Sequence, residues 1–466
     1  MIMKCLLIFT MIVLINMNLS AQDWLGRWEG VLVAGSNKFT IVFNIKMGEQ
    51  GLEATMDSPD QLAYDLKMDE VVVKDSQITL TMNAAHIQYI GSFNKDFSVI
   101  NGEWIQGVPL KLDLKKSKKE LVYNRPQEPK GPFPYKIEKV TYVNKSADGI
   151  KLAGTLTIPD NKEKNPVVIL ISGSGAQDRD ETILKHKPFW VIADFLTRNG
   201  IAVLRFDDRG FGESEGEANG ATSADFATDV KAGVAFLKSH PSIDSKKIGL
   251  VGHSEGGLIA PMVASKDKSI AFIVLLAGPG VSGKDLLLQQ NYDLMKLQIM
   301  DKKLLKTFWT INSKLFDAVI KDKKRKYSVD DYMETIKEEY ASISDEDKLK
   351  LELDETSFRQ SLTMLQLKWM HFFIRSVPAD YLKKVTCPVL ALNGEKDIQV
   401  AGKMNLDAIE ATLSKAKNKN YKCVLFPNLN HLFQNCKTGS VEEYINIEET
   451  FSDEVMKTIL NWINNL

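Results

Sequence analysis

The sequence predicts an α/β fold in which a doubly wound, mostly parallel sheet carries a helical cap insertion and follows a small all-β domain. Three observations support this class. Short apolar runs alternate with helical patterns in the C-terminal two thirds of the chain. One long helical and charged stretch interrupts that alternation. The N-terminal part alternates polar and apolar residues in short runs. The chain has 466 residues, too many for one core, so separate units are expected.

The first 21 residues have the pattern of a secretory signal peptide. Lys4 supplies a basic start, an apolar run extends from Cys5 to Ile15, and small residues precede Gln22. The apolar run is short for a membrane span. We therefore expect cleavage after Ala21, export to the periplasm or the extracellular space, and no stable membrane span. An uncleaved transmembrane anchor is the alternative.

Residues 22–118 are predicted to form an antiparallel β domain, as a barrel or a sandwich. Turn residues separate its strand-like runs, which include Lys38–Ile45, Gln77–Met82 and His86–Ile90. Trp24, Trp28 and Trp104 could line a ligand groove, but tryptophans in such strands more often pack in the core.

A proline-rich linker is predicted at residues 119–135, and residues 136–466 are predicted to form the second domain. A hairpin opens that domain, and parallel-type strands follow with helices between them. The expected strands lie near 136–143, 150–157, 166–171, 201–206, 247–252, 270–276, 388–393 and 421–426, and the clearest helices at 189–198 and 223–238.

The segment Val-Gly-His-Ser-Glu-Gly-Gly contains the most informative motif. It follows a strand-like run that ends at Leu250, and a helix is expected from about Gly257. A sharp strand-to-helix turn exposes a serine, and the flanking Gly252 and Gly256 stand where a Cβ would clash. The pattern therefore predicts Ser254 as a nucleophile. The alternative is a glycine-rich turn with a surface serine.

A serine nucleophile needs a base and an acid, which in this arrangement follow it in the order acid, then histidine. Only His371 and His431 lie after Ser254. His371 lies in an aromatic helical stretch typical of a packed core or lid, whereas His431 follows a strand, in a loop where ligands meet open α/β sheets. We predict His431 as the base and Asp397 as the acid, with Glu395 as the rival acid.

Two backbone amides are expected to bind the oxyanion of the transition state. The amide of Glu255, directly after the nucleophile, is one candidate. The loop Ser172-Gly173-Ser174-Gly175 follows an earlier strand and supplies the other. We favour the amide of Ser174, with Gly175 as the alternative.

In this order, these residues resemble the α/β-hydrolase superfamily, and in particular bacterial exported carboxylesterases (EstD-like) with an N-terminal β domain. The resemblance implies a carboxylesterase-type serine hydrolase whose triad falls on Ser254, Asp397 and His431. One departure is Ser172-Gly173, where many members have His-Gly, and it concerns the second oxyanion donor. The motifs that carry the resemblance are 172–175, 177–180, 206–214, 392–400 and 430–434.

The stretch between the nucleophile and the acid is far longer than one strand requires. Residues 284–379 are therefore predicted to form a helical cap, and its aromatic end, Trp369 to Phe373, is the best candidate for a substrate-facing wall. Outside the cap, Asp207 and Arg209 could bind substrate, but an internal salt-bridged brace is the commoner role for such a turn.

Composition excludes several classes of function. Lys plus Arg total 59 and Asp plus Glu total 60, so there is no basic field to attract nucleic acid. The cysteines beyond the signal are Cys387, Cys423 and Cys436; this odd number argues against a disulfide framework, although a bond between Cys423 and Cys436 stays open. No metal-ligand spacing or phosphate-binding glycine loop is present, so neither a metal nor a cofactor is expected.

These features predict hydrolysis of a small-molecule carboxylic ester through an acyl-enzyme. The alternatives are a serine peptidase of the prolyl-oligopeptidase-like kind, a thioesterase, and a non-catalytic binding protein on the same fold. The N-terminal unit is too small for a β-propeller and shows no repeat, which disfavours the peptidase. The oligomeric state stays open.

Overall fold

The computed structural model describes residues 24–35, 37–48, 51–118, 123–161, 163–416 and 418–466. The predicted signal peptide, residues 1–21, lies outside the described residues. The chain divides into two compact units, residues 1–124 and 125–466. The division falls inside the predicted linker at 119–135, whose bounds stay a prediction.

The described part of the first unit consists of antiparallel strands in the order β4-β3-β2-β1-β10-β8-β7-β6-β5, with β9 beside β8. The amides of Met68 and Asp69 donate to carbonyls of β3 and β6, which brings the two ends of the sheet together as in a barrel. The strands are β1 Gly26–Ala34, β2 Asn37–Gly48, β3 Gly51–Ser58, β4 Ala63–Lys67, β5 Glu70–Lys74, β6 Gln77–Met82, β7 Ile87–Phe93, β8 Val99–Gln106, β9 Val108–Lys111 and β10 Leu114–Ser117.

Alternating side chains of these strands fill the core of the first unit. Trp28 and Trp104 are buried in it, so these two tryptophans pack in the core. His86, expected on a strand, instead ends a short 3-10 turn with a φ of 52° and precedes β7. The expectation of a strand there was wrong because an exposed turn at residues 83–86 comes first.

The second unit contains a mixed sheet, ordered β11-β12-β14-β13-β15-β16-β17-β18 in the described residues. The pairs β11–β12 and β12–β14 are antiparallel, and the remaining pairs are parallel. The strands are β11 Tyr135–Asn144, β12 Ile150–Pro159, β13 Asn165–Ile171, β14 Ala202–Phe206, β15 Ile243–His253, β16 Phe272–Leu276, β17 Val389–Gly394 and β18 Tyr421–Phe426. The predicted fold class, a small all-β domain followed by a mostly parallel sheet with helices, is confirmed.

Helices cover both faces of this sheet, which explains why its central strands are apolar throughout. Helices α2, α3 and α12 pack on one face, and α1 and α14 on the other. No helix in the described ranges is long and apolar enough to cross a membrane. These helices are α1 Pro188–Arg198, α2 Ser223–Ser239, α3 Gly256–Ala264, α12 Gly402–Lys415, α13 Val441–Tyr444 and α14 Asp453–Asn464.

A helical insertion separates β16 from β17 and has its own apolar core, which includes Leu305, Ile311 and Leu315. One helix of the insertion, Lys368–Arg375, also contacts α2 beside the sheet. The helices are α4 Gly283–Gln298, α5 Lys302–Lys321, α6 Val329–Thr335, α7 Lys337–Ala341, α8 Asp345–Lys350, α9 Glu355–Thr363, α10 Lys368–Arg375 and α11 Ala379–Leu382.

The three described cysteines are free thiols. Cys423 and Cys436 are therefore not bonded to each other. Burial raises the pKa of Cys387 to about 11 and that of Cys423 to about 12, so these thiols are protonated at neutral pH and pack as small apolar groups.

Candidate active site

Ser254 lies at the turn between β15 and α3, with a φ of 52°. Its amide donates to the carbonyl of Leu276 at 2.8 Å, which ties the turn to the neighbouring strand. A Cβ on Gly252 would collide with the carbonyl oxygen of Gly256, and a Cβ on Gly256 with that of Ile171. Only glycine fits at both positions, so the motif is explained by the closeness of the backbones around the serine.

Asp397 and His431 lie in the loops after β17 and β18, at the same edge of the sheet as Ser254. His431 Nδ1 lies 2.8 Å from Asp397 Oδ2, and both side chains are buried. The other carboxylate oxygen of Asp397 accepts the amides of Gln399 and Val400 at 2.8 Å each. Glu395, the rival acid, is exposed. Asp397 is therefore held in one orientation toward the ring of His431.

A cavity of about 350 Å³ brings Ser254 and His431 together. Its wall is largely apolar, with Leu286 and Leu287 from α4 and Phe373 from α10. No hydrogen bond joins Ser254 Oγ to His431 among the described residues, a separation that is common in unliganded sites.

The loop after β13 lies beside Ser254, because a Cβ on Gly173 would come within 3.2 Å of the Cβ of Ser254. The amide of Gly173 already donates to Glu181 Oε1 at 2.7 Å. Within the described residues, the amides of Ser174 and Glu255 have no hydrogen-bond partner, and both residues line the cavity. Gly175, the alternative donor, does not line it. The two favoured amides are thus free to bind an oxyanion.

Trp369, on the cap helix α10, bonds to the residue that follows the nucleophile. Its Nε1 donates to Oε1 and Oε2 of Glu255, at 2.8 and 3.0 Å, and Ser223 Oγ donates to the same carboxylate at 2.5 Å. Burial raises the pKa of Glu255, while hydrogen bonds from Ser223, Trp369 and Ser174 act in the opposite direction. Trp369 and Phe373 line the cavity, whereas His371 and Phe372 do not. The sequence indicated the aromatic wall but not this bond.

A buried, hydrogen-bonded pair, Glu181 and His253, lines the same cavity and was not predicted from the sequence. His253 Nδ1 lies 2.9 Å from Glu181 Oε1, and Nε2 lies 3.0 Å from the carbonyl of His431. Burial lowers the pKa of His253, but the charge and hydrogen bond of Glu181 and the carbonyl of His431 outweigh it, so the pKa is raised. Glu181 also accepts the Gly173 amide, so the pair links three loops of the site. The position of His253 directly before the nucleophile was the only sequence signal.

Asp207 and Arg209 form internal ion pairs with other partners and do not line the cavity. Arg179 Nη2 contacts Asp207 Oδ2 at 2.5 Å, and Arg209 Nε contacts Asp229 Oδ2 at 2.7 Å. All four atoms belong to buried or largely buried side chains. This arrangement matches the brace that we weighed against substrate binding, because bidentate pairs of this kind hold loops in place.

Asp208 braces the loop that follows β13. Its carboxylate oxygens lie 3.1 and 2.9 Å from Ser172 Oγ, and one of them accepts the amide of Gln177 at 3.0 Å. Burial raises the pKa of Asp208 to about 8, with further contributions from Asp229 and Glu181. In the part of the chain that the structure describes, no group of three or more His, Cys, Asp and Glu side chains is placed to hold a metal ion.

The strand order, the serine at the strand–helix turn, and the buried Asp–His pair define an α/β-hydrolase. The chain belongs to the family described as serine aminopeptidase, S33, whose model matches residues 189–435, more than half of its length. The predicted resemblance to EstD-like α/β-hydrolases is thereby confirmed at the level of the family.

Similar proteins include the esterase EstD of Thermotoga maritima, which is 26% identical over 282 residues. That match covers 60% of this chain and 58% of EstD. The chain therefore spans less than two thirds of the length of this relative. A thiohydrolase of Aspergillus aculeatus, AneE, is 33% identical over 130 residues, 28% of this chain and 38% of that protein.

Among solved structures, the esterase Pf2001 of Pyrococcus furiosus is similar to this protein. The alignment covers 74% of this chain and 98% of the Pf2001 chain. The identity is 18% and the TM-score 0.43.

Proposed function

We propose that this protein is a carboxylesterase that works through an acyl-enzyme formed on Ser254. The observation that carries the proposal is the 2.8 Å contact between His431 Nδ1 and Asp397 Oδ2, in the same site as a serine held at a strand–helix turn. Orientation of a histidine by a buried carboxylate, beside a serine hydroxyl that faces a cavity, is the arrangement that activates serine for acyl transfer. The similarity to the esterase EstD adds support.

In the proposed reaction, Ser254 Oγ attacks the ester carbonyl while His431 takes its proton. Asp397 fixes the histidine tautomer and stabilises the imidazolium that forms. The amides of Ser174 and Glu255 bind the oxyanion of the tetrahedral intermediate. When the intermediate collapses, the alcohol leaves with the proton from His431. Water, deprotonated by the same histidine, then releases the carboxylic acid.

The cavity favours an ester over the free amino terminus of a peptide, the substrate class that the family description suggests. An aminopeptidase needs an accessible carboxylate to bind the substrate ammonium group. The carboxylates that line the cavity belong to Glu181 and Glu255, which are 0% and 2% exposed. Glu255 already bonds to Ser223 and Trp369, and Glu181 Oε1 bonds to the Gly173 amide and His253, which leaves only the buried Oε2 of Glu181 without a partner among the described residues. The apolar wall suits an uncharged acyl chain instead.

Ester hydrolysis can be tested with p-nitrophenyl esters and aminoacyl p-nitroanilides, assayed side by side with the wild type and Ser254→Ala. We expect measurable kcat/KM on short-chain esters and little or none on the anilides. Ser254→Ala should lower kcat by about a thousandfold or more, because no other nucleophile accepts the acyl group. Ser265→Ala is the matched control, since it removes the hydroxyl of another half-buried serine that does not line the cavity. Near-wild-type turnover by Ser254→Ala would refute the assignment.

We further propose that the protein is exported, as the pattern of residues 1–21 suggests. Mass spectrometry of the protein secreted or released from the periplasm of an expressing cell checks this directly. The expected mature chain begins at Gln22. Recovery of the uncleaved chain in the membrane fraction would instead support an anchor.

A further inference from the structure

A second cavity of about 580 Å³ lies on the other side of the cap helix α10 from the catalytic cavity. The two cavities share this helix but no lining residue. Trp369, Met370 and Phe373 line the catalytic cavity, and Lys368, His371, Phe372 and Arg375 line the second one. A volume of this size falls in the range of small-ligand sites, roughly 300–1,000 Å³.

Positive charges converge on this second cavity. Arg375 and Lys368 come from α10, and Lys323, Lys324 and Arg325 from the turn after α5. The two acidic residues of the wall are already paired. Asp225 accepts from the amide and hydroxyl of Thr222 and lies 3.5 Å from Lys368, and Asp380 lies 2.7 Å from Lys383.

Arg375 is half-buried, yet its guanidinium makes no hydrogen bond or ion pair with any described residue. The side chains of Lys323, Lys324 and Arg325 likewise have no acidic partner within the described ranges. Asp322, the nearest acidic residue before them, directs its carboxylate to the amides of Lys326 and Tyr327, at 2.9 and 2.8 Å. A guanidinium that is partly removed from water without a counter-ion is costly, and an anion would offset that cost.

His371 is the second, independent sign of a ligand. It is 5% exposed and lines the cavity, and its Nε2 is buried without a hydrogen-bond partner. Burial lowers the pKa of His371 and the charges of Arg375 and Arg325 act in the same direction, while a backbone hydrogen bond and the charge of Asp322 oppose this shift. A buried ring nitrogen of this kind normally has a partner, and a bound group with an O–H or an acidic oxygen would supply one.

We propose that this cavity binds a phosphate-type oxyanion, either free phosphate or a phosphate monoester. A phosphate group offers several charged oxygens for Arg375 and the lysines, and in its singly protonated form one hydroxyl for His371. The ring of Phe372, with Tyr381 also in the wall, would contact the organic part of a monoester. This site is separate from the proposed ester-binding site and does not depend on the activity proposed there.

The test is calorimetric titration of the full-length protein with inorganic phosphate, phenyl phosphate and phenol, in a phosphate-free buffer of constant ionic strength. We expect saturable binding of one or both phosphates with a Kd below about 1 mM, and none of phenol. Tighter binding of phenyl phosphate would identify a monoester site, and equal binding a site for the phosphate group alone. Phenol binding as tightly as phenyl phosphate, or no saturation by either phosphate up to about 10 mM, would overturn the proposal.

Substitutions in the second cavity test whether phosphate binds there. Arg375→Gln should weaken phosphate binding about tenfold or more, because it removes a charged hydrogen-bond donor. The double variant Lys323→Gln and Lys324→Gln should also weaken it, and both side chains are exposed, so folding is retained. Arg359→Gln is the matched control, since it removes an exposed cap arginine outside the cavity. Equal losses in Arg359→Gln and Arg375→Gln would show nonspecific attraction and refute the site.

Discussion

Ser254 is held in a backbone conformation that residues other than glycine rarely adopt. Its φ of 52° stores strain of about 1–3 kcal/mol, a typical cost of left-handed backbone at functional sites. The bond from its amide to Leu276 and the glycines on either side keep it there. The strain presents the hydroxyl to the cavity before a substrate arrives, so little reorganisation is left for the reaction.

The acid of the triad can be distinguished from its rival by paired substitutions. Asp397→Asn should lower kcat on a short ester by roughly 10⁴-fold, because an amide at this position favours the wrong tautomer of His431. Glu395→Gln, the same chemical change two residues earlier, should stay within about twofold of the wild type because Glu395 is exposed. Steady-state kinetics measure both, and the reverse ranking would transfer the role to Glu395.

The contribution of Asp208 to the stability of the folded protein should decrease as the pH rises. Its pKa is raised from 3.8 to about 8 on folding, so the folded state holds the proton more tightly than the unfolded state. Its contribution to stability is therefore complete below about pH 4 and is lost as the pH rises through 8. Asp208→Asn, which is neutral at every pH, should reduce the fall in unfolding free energy between pH 5 and 8, by on the order of 1 kcal/mol per pH unit.

Urea unfolding at pH 5, 6.5 and 8 measures this effect. Asp160→Asn is the control, because it makes the same change at an exposed carboxylate. If Asp208→Asn and the wild type lost stability in parallel over this range, Asp208 would be ionised in the folded protein throughout.

The site residues that could be predicted from the sequence are those whose position follows from a nearby strand pattern. Ser254, Asp397 and His431 lie one, three and five residues after the ends of β15, β17 and β18, so the carboxyl edge of the sheet brings them together. Glu181 could not be found in this way, because it reaches His253 from a loop whose course depends on tertiary packing. The bond of Trp369 to Glu255 depends on how the cap docks, which no local pattern specifies.

At the scale of the elements, the short helix α10 contributes side chains to both cavities. It separates the catalytic cavity from the basic cavity, and Trp369 on one face anchors it to Glu255. Because the amide of Glu255 is a proposed oxyanion donor, the helix is one bond away from the chemistry. Movement of α10 would therefore alter both cavities together.

Trp369→Phe tests this anchor. The variant leaves the buried carboxylate of Glu255 without its indole donor, which should cost about 1–3 kcal/mol of stability. It also enlarges the cavity at the cap, so kcat/KM should fall more for long-chain esters than for acetate. Thermal unfolding and a series of p-nitrophenyl esters measure the two effects.

Trp309→Phe is the matched control, a cap tryptophan that does not line the catalytic cavity. It should leave the preference for chain length unchanged. An unchanged preference in Trp369→Phe would mean that α10 does not shape the site.

The strands and long helices of the second unit followed from the sequence to within a few residues, because strands buried on both faces form continuous apolar runs. The predicted helix 223–238, for example, is Ser223–Ser239 in the structure, and the strand 421–426 is Tyr421–Phe426. The individual cap helices could not be bounded, since their charged surfaces obscure the periodicity. Many of them are short and end at polar caps.

At the scale of the whole molecule, each unit has a hydrophobic core of its own. The core of the first unit includes Trp28, Leu80 and Tyr89, and those of the second unit draw on its sheet, its flanking helices and the cap. Every residue that lines the catalytic cavity comes from the second unit. Among the described residues, the lining of this cavity therefore includes no side chain of the first unit.

Removal of residues 23–118 from the mature chain should consequently leave a folded esterase. We expect kcat/KM on p-nitrophenyl acetate to stay within about tenfold of the full-length value, because a small ester draws its binding energy from the catalytic cavity alone. A native circular dichroism spectrum and cooperative thermal unfolding establish that the truncated protein is folded before it is assayed. The same truncation carrying Ser254→Ala sets the background rate. A folded truncation with no more activity than that background would show that the first unit contributes to catalysis itself.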